Sequence, residues 1–179
     1  VTTFDYFDSL MPMRASKYKK RYNLDGILLY DEDHISSTYT YTELFRNGSI
    51  ESVEAITLRN KGGDNKGIPG KRLETVLVEA LNRYLQVFKY LKIEPPFFVM
   101  VSLLEVRGYM MVATNEEGIV GTVGDSIDRD YLMIPEVVID SFGTNSSKVM
   151  KPIFDSIWNA CGLKESQNYD KEGNWKIKI

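Results

Sequence analysis

The sequence predicts an α+β fold: an antiparallel or mixed sheet built from hairpins, backed by one long helix and a C-terminal helix. Three observations carry this reading. Between Arg72 and Leu91, apolar residues fall at Leu73, Val76, Leu77, Ala80, Leu81, Tyr84, Leu85, Phe88 and Leu91, a stripe at helical spacing with Pro69 near its start. Asn47-Gly48 sits between two runs of strand periodicity. That dipeptide is a strong hairpin signal, because both residues tolerate the positive φ of a type I′ turn. Asn145 to Ser147 supplies capping side chains just ahead of a second helical pattern.

In chain order, residues 1–22 combine aromatics with Arg14, Lys17, Lys19, Lys20 and Arg21, and read as a linker or short N-terminal helix. Residues 23–179 read as a single α+β domain. Asp25-Gly26 signals a turn, followed by a short apolar strand, Ile27 to Tyr30. Tyr39, Tyr41, Glu43 and Phe45 alternate with Thr38, Thr40, Thr42 and Leu44, which is strand periodicity, and Ile50 to Ile56 returns after the Asn-Gly turn. A glycine-rich loop, residues 61–70, leads into the long helix, and Pro95-Pro96 ends it. Phe97 to Leu104 is nearly all apolar, the pattern of a central strand covered on both faces. Tyr109 to Val112 and the glycine-punctuated 118–124 follow. Tyr131 to Ile139 is interrupted by Pro135, which favours an edge or a strand start. The last helix runs from about Lys148 to Asn159, with Val149, Ile153, Ile157 and Trp158 facing inward and Gly162 as its stop. The closing stretch, 157–175, holds both tryptophans and has no period of its own, so it is expected to pack onto something else.

Composition narrows the class. With 179 residues, 43% of them hydrophobic and 12% aromatic, the chain can bury one substantial core and is not a disordered regulator. A net charge of −3 argues against general attraction to phosphate backbones. No run of about 18 apolar residues and no basic-then-apolar leader is present in the sequence, so no membrane partner is expected. The single cysteine, Cys161, cannot form an internal disulfide, which suits the cytoplasm. Because the sequence starts at Val1, it is expected to be a piece of a longer protein.

No catalytic constellation stands out. A P-loop ending at Gly70-Lys71 would need glycine at position 65, which is Asn65, and a hydroxyl residue at position 72, which is Arg72. Gly118, Gly121 and Gly124 lack the strand-then-helix setting of a nucleotide loop. Asp125, Asp128 and Asp130 offer oxygen ligands, but carboxylates so spaced more often open turns. Asp31-Glu32-Asp33-His34 holds the only histidine, and with one cysteine in the chain neither a histidine-rich nor a thiolate zinc site can form. Two sets keep some chemical interest. Tyr39, Tyr41 and Phe45 could stack bases while Arg46 and Arg107 touch phosphate, although aromatics alternating along a strand usually face a core. Glu43, Glu51 and Glu54 could form a carboxylate set for metal-assisted phosphodiester cleavage. The binding residues nominated are therefore Tyr39, Tyr41, Glu43, Arg46 and Arg107, with no catalytic residue, no metal and no cofactor assigned.

Several segments carry a family resemblance: Tyr41 to Gly48 with Ile50-Glu51; Pro95-Pro96-Phe97 with Ser102-Leu103 and Gly108-Tyr109; Leu132 to Val138; and the tail Ile157 to Gly162, Asn168-Tyr-Asp170 and Gly173-Asn-Trp175. Together these resemble the C-terminal region of bacterial proteins with an N-terminal AlbA-like, Schlafen-related DNA-binding domain, commonly labelled transcriptional regulators. The resemblance covers the chain from about Tyr22 onward. It implies that DNA is bound by a missing N-terminal domain, while this half senses a ligand, docks, or forms a possible homodimer. It supplies no catalytic residue. The expectation is a non-enzymatic regulatory or assembly domain; the alternative is a Schlafen-like nucleic-acid-binding or metal-dependent nucleic-acid-cleaving domain.

Overall fold

A computed structural model of the chain describes residues 6–31, 39–58, 66–114 and 120–177. The fold is α+β, and the chain divides into two compact units, Val1–Ile56 with Glu79–Glu94, and Thr57–Val78 with Pro95–Ile179.

The first unit holds a short helix α1 (Tyr6–Ser9) and strands β1 (Tyr18–Tyr22), β2 (Gly26–Asp31), β3 (Thr40–Phe45) and β4 (Ile50–Glu54). The strands form an antiparallel sheet in the order β1-β2-β3-β4. The long helix α2 spans Gly70–Leu91, and its part from Glu79 onward belongs to this unit. Alternation along β3 buries Thr40, Thr42 and Leu44 and leaves Tyr41, Glu43 and Phe45 half-covered. Leu44 meets Leu10, Leu29 and Val87 in the core, with Tyr6, Phe7, Tyr18, Ile27, Ile50 and Tyr84 packed around them. Two polar inner positions, Thr42 and Ser52, are satisfied as well: the Tyr84 hydroxyl lies 2.8 Å from Ser52 Oγ and 3.1 Å from Thr42 Oγ1. The basic run that reads as linker contributes β1, which pairs with β2 along its whole length.

The β3–β4 hairpin forms where Asn47-Gly48 places it, with a different turn. Gly48 alone takes positive φ, at 88°, and its N–H donates to the Phe45 carbonyl. Asn47 instead accepts from the Ser49 backbone N–H and hydroxyl through Oδ1. That side-chain turn holds Asn47 at negative φ, so the connection is a type I turn followed by a left-handed glycine and not type I′. Gly26 closes the β1–β2 turn, as expected, and opens β2: its carbonyl accepts from the Asn23 N–H and its own N–H donates to Asn23 Oδ1. A Cβ there would stand 2.0 Å from the Leu44 carbonyl oxygen, so only glycine allows the two strands to approach.

The second unit holds β5 (Gly67–Pro69), β6 (Phe97–Val99), β7 (Ser102–Leu104), β8 (Met110–Thr114), β9 (Val120–Val123), β10 (Tyr131–Met133), β11 (Val137–Ile139) and the helix α3 (Ser146–Ala160). β5 and β8 are parallel and β8 and β9 antiparallel, in the order β5-β8-β9. β7 pairs with β10, and β6 with β11. α3 packs against β11 and is capped as its sequence indicates: Asn145 Oδ1 accepts from the Lys148 N–H at 3.1 Å, and Gly162 beyond its end takes φ 72°.

One expectation fails here. Phe97–Leu104 is not a single strand covered on both faces: it is divided between β6 and β7, and only Phe97 and Leu103 are buried, while Phe98, Met100, Ser102 and Leu104 are exposed. Most of the glycine loop, 61–65, lies outside the described residues, as do Glu32, Asp33 and His34 of the acidic cluster and Gly118.

Candidate functional site

The nominated binding residues divide between the two units: Tyr39, Tyr41, Glu43 and Arg46 lie in the first, Arg107 in the second. The register sets Glu43 directly opposite Glu51, and strand alternation turns both away from the core. Tyr41 lies diagonally across and donates its hydroxyl to Glu51 Oε1 at 2.6 Å. That bond, then partial burial and the nearby charges of Glu51 and Glu43, push the phenol up to about 12. Asn23 Nδ2 donates to Glu43 Oε1 at 2.7 Å. Two carboxylates and a phenol tied to one of them repel a phosphate chain, so the tyrosines here make a poor stacking platform.

Glu54 does not join that pair. It lies opposite Thr40 on the inner side of the sheet, its side chain 7% exposed, with Arg14 NH1 at 3.6 Å. The three-carboxylate set therefore does not converge, because Glu54 is one residue out of phase with Glu51 and Val53 along a strand of period two. Among the described residues, no group of three or more His, Cys, Asp or Glu side chains is placed to hold a metal ion.

The arginines serve local structure. Arg46 Nε donates to the Leu24 carbonyl at 2.9 Å, bracing one hairpin against the next. Arg107 forms a two-pronged contact with Asp130, at 3.0 and 3.2 Å, and also donates to the Asp128 carbonyl. Asp128 in turn pairs with Arg129 at 2.8 Å. These contacts account for two of the three loop aspartates that the sequence offers as cation ligands, and Asp125 donates its backbone N–H to the Cys161 carbonyl. Cys161 is buried, and burial pushes its thiol above the ordinary range, away from the reactive thiolate.

The tail rich in tryptophan closes on a charge. Glu74, on α2 and 1% exposed, accepts from Trp158 Nε1 at 2.9 Å and Ser166 Oγ at 2.6 Å on one oxygen, and from Trp175 Nε1 at 3.1 Å on the other. Burial nevertheless raises its carboxyl above the ordinary value, against the lowering effect of these donors and of Asn168. This is a buried clasp with no access for a substrate.

What the structure leaves open is apolar. β6 and β7 run antiparallel to β11 and β10 as one two-stranded ribbon, with Ile134, Pro135 and Glu136 set against Met100 and Val101. This bulge adds one residue to the second strand and so reverses its alternation. Tyr131 and Met133 before it, and Val138 after it, consequently share the side that carries Phe98, Met100 and Leu104. These six residues are between 39% and 75% exposed. Tyr131 stands opposite Leu104, and Val138 opposite Phe98. None of these six was nominated from sequence. The signal was there in the nearly all-apolar run of 97–104, which implies cover on both faces.

Comparison with protein families, with curated proteins and with solved structures finds no match to this chain.

Proposed function

We propose that this chain is a non-enzymatic regulatory or assembly module that works by docking through the outer face of the β6/β7–β10/β11 ribbon. The observation that carries the reading is that face: large apolar side chains stand open to solvent on adjacent strands, in register, and with no charged residue among the six. Patches of this kind on a folded protein mark sites of association. The polar residues nominated for chemistry support the same reading, since Tyr41, Glu43, Arg46 and Arg107 are each engaged with a neighbour in the fold. In the setting that the family resemblance implies, this is the half of a transcriptional regulator that assembles while another part reads DNA.

The competing activity is metal-dependent cleavage at the Glu43–Glu51 pair. Incubating the chain with labelled single- and double-stranded DNA and RNA, with and without Mg²⁺, tests it directly. The expected result is no cleavage. Mg²⁺-dependent cutting that disappears in Glu43→Gln or Glu51→Gln would replace the docking module with a nuclease.

A further inference from the structure

We infer that the occupant of the ribbon face is a second copy of this chain, packed face to face about a two-fold axis. The inference rests on the docking reading above and names the partner.

Area favours a protein surface of equal extent. Large side chains such as these offer about 150–250 Å² each when fully open. At their observed exposures, Phe98, Met100, Leu104, Tyr131, Met133 and Val138 together present on the order of 700 Å². That exceeds the roughly 300–600 Å² of the largest patch on an ordinary monomer. It approaches the contribution of about 800 Å² that each partner makes to an interface of standard size.

Chemistry favours self-pairing. A two-fold contact places the same patch on both sides, so a charge close to the axis meets its own copy. The six side chains carry none. Along the 97–104 strand the intervening outer position is Ser102, and the charged neighbour Glu136 belongs to the bulge. Shape points the same way. Paired strands form a pleated layer suited to stacking against another layer at about 10 Å, whereas small ligands are held in concave sites. The bulge at Pro135 supplies a further argument, because without its extra residue Val138 would turn inward and Ile139 outward. The register keeps both halves of the ribbon apolar on one side, as a second layer of side chains requires.

The experiment is light scattering behind size-exclusion chromatography on the whole chain across a range of loading concentrations, with Phe98→Glu and Met133→Glu alongside. Both positions are exposed, so the variants should keep the wild-type circular dichroism and the melting temperature that the wild type has when diluted to monomer. The wild type should elute at twice the mass of one chain. Either glutamate should raise the dissociation constant by on the order of a hundredfold or more, since an unpaired charge would be buried in the contact. An equimolar mixture of Met133→Glu with Met133→Lys should recover dimer that neither variant forms alone. A wild-type chain that is monomeric at every concentration overturns the inference, and so does a dimer indifferent to both glutamates. Neither of those results produces Mg²⁺-dependent cleavage, so failure of self-pairing is told apart from failure of the docking reading.

Discussion

Trp158 donates its indole N–H to Glu74 over 2.9 Å, and both residues are 1% exposed. A carboxylate so deeply placed is tolerable only with donors around it, and the tail delivers Ser166 and Trp175 to the same group. Glu74→Ala should therefore cost more than its lost volume, because it leaves the buried Trp158 N–H and Ser166 O–H donors without their acceptor. A loss on the order of 4 kcal/mol is expected in urea unfolding. Trp175→Phe keeps most of the ring and removes one donor, and should cost about 1 kcal/mol. Equal losses in the two variants would mean that the clasp is not centred on Glu74.

The same carboxyl makes stability depend on pH. Burial raises its folded value above the ordinary 4.5, so the folded state holds the proton more tightly than the unfolded chain. The resulting stabilisation is fully present below 4.5 and is lost as pH rises through the folded value. Relative to Glu74→Gln, the wild type should gain unfolding free energy as pH falls from neutral towards 4.5. Parallel stability curves for the two proteins would show that the carboxyl titrates alike in both states.

Lys92 follows α2 with φ 58°, while the Ile93 N–H reaches back to the Phe88 carbonyl at 2.9 Å. This is the left-handed cap that glycine fills at least strain. Lys92→Gly should stabilise the chain by roughly 0.5–1 kcal/mol, read as a higher melting temperature. A lower melting temperature would mean that the lysine side chain contributes more than its backbone strain costs.

Gly26→Ala should have the opposite effect. Its Cβ would meet the Leu44 carbonyl oxygen at 2.0 Å, and a backbone atom in a paired strand has little freedom to move aside. A loss of about 3 kcal/mol is expected on thermal unfolding. An unchanged melting temperature would show that β2 can shift along β3 to make room.

Local signals in the sequence are enough to find much of this fold. The stripe from Leu73 to Leu91 marks α2, which extends three residues further at its start, to Gly70; Asn145 and Gly162 mark the ends of α3; and Asn47-Gly48 marks the β3–β4 hairpin. What stayed hidden depends on pairing between distant segments. β1 is too charged to look like a strand, since Lys19, Lys20 and Arg21 sit on a sheet edge where water covers them. The phase of Glu54 against Glu51 becomes visible only once the register is known. Glu74 looks like an ordinary helix carboxylate until donors 84, 92 and 101 residues away are brought to it. The ribbon face was misread for a different reason: an apolar run shows that both faces of a strand need cover, and not whether the cover comes from the same chain.

The distance in sequence between Glu74 and Trp175 also orders events during synthesis. At a ribosomal pace of 5–20 residues per second, the final indole emerges roughly 5–20 s after the carboxylate it will cover, a separation of 101 positions. Until then Glu74 needs water, and the second unit cannot close its interior around it. Emergence of Ser166 and Trp175 thus acts as a checkpoint: a product terminated before Ser166 would carry a helix whose buried side still holds an uncovered acid, open to proteolysis, whereas a product that includes both residues seals that group.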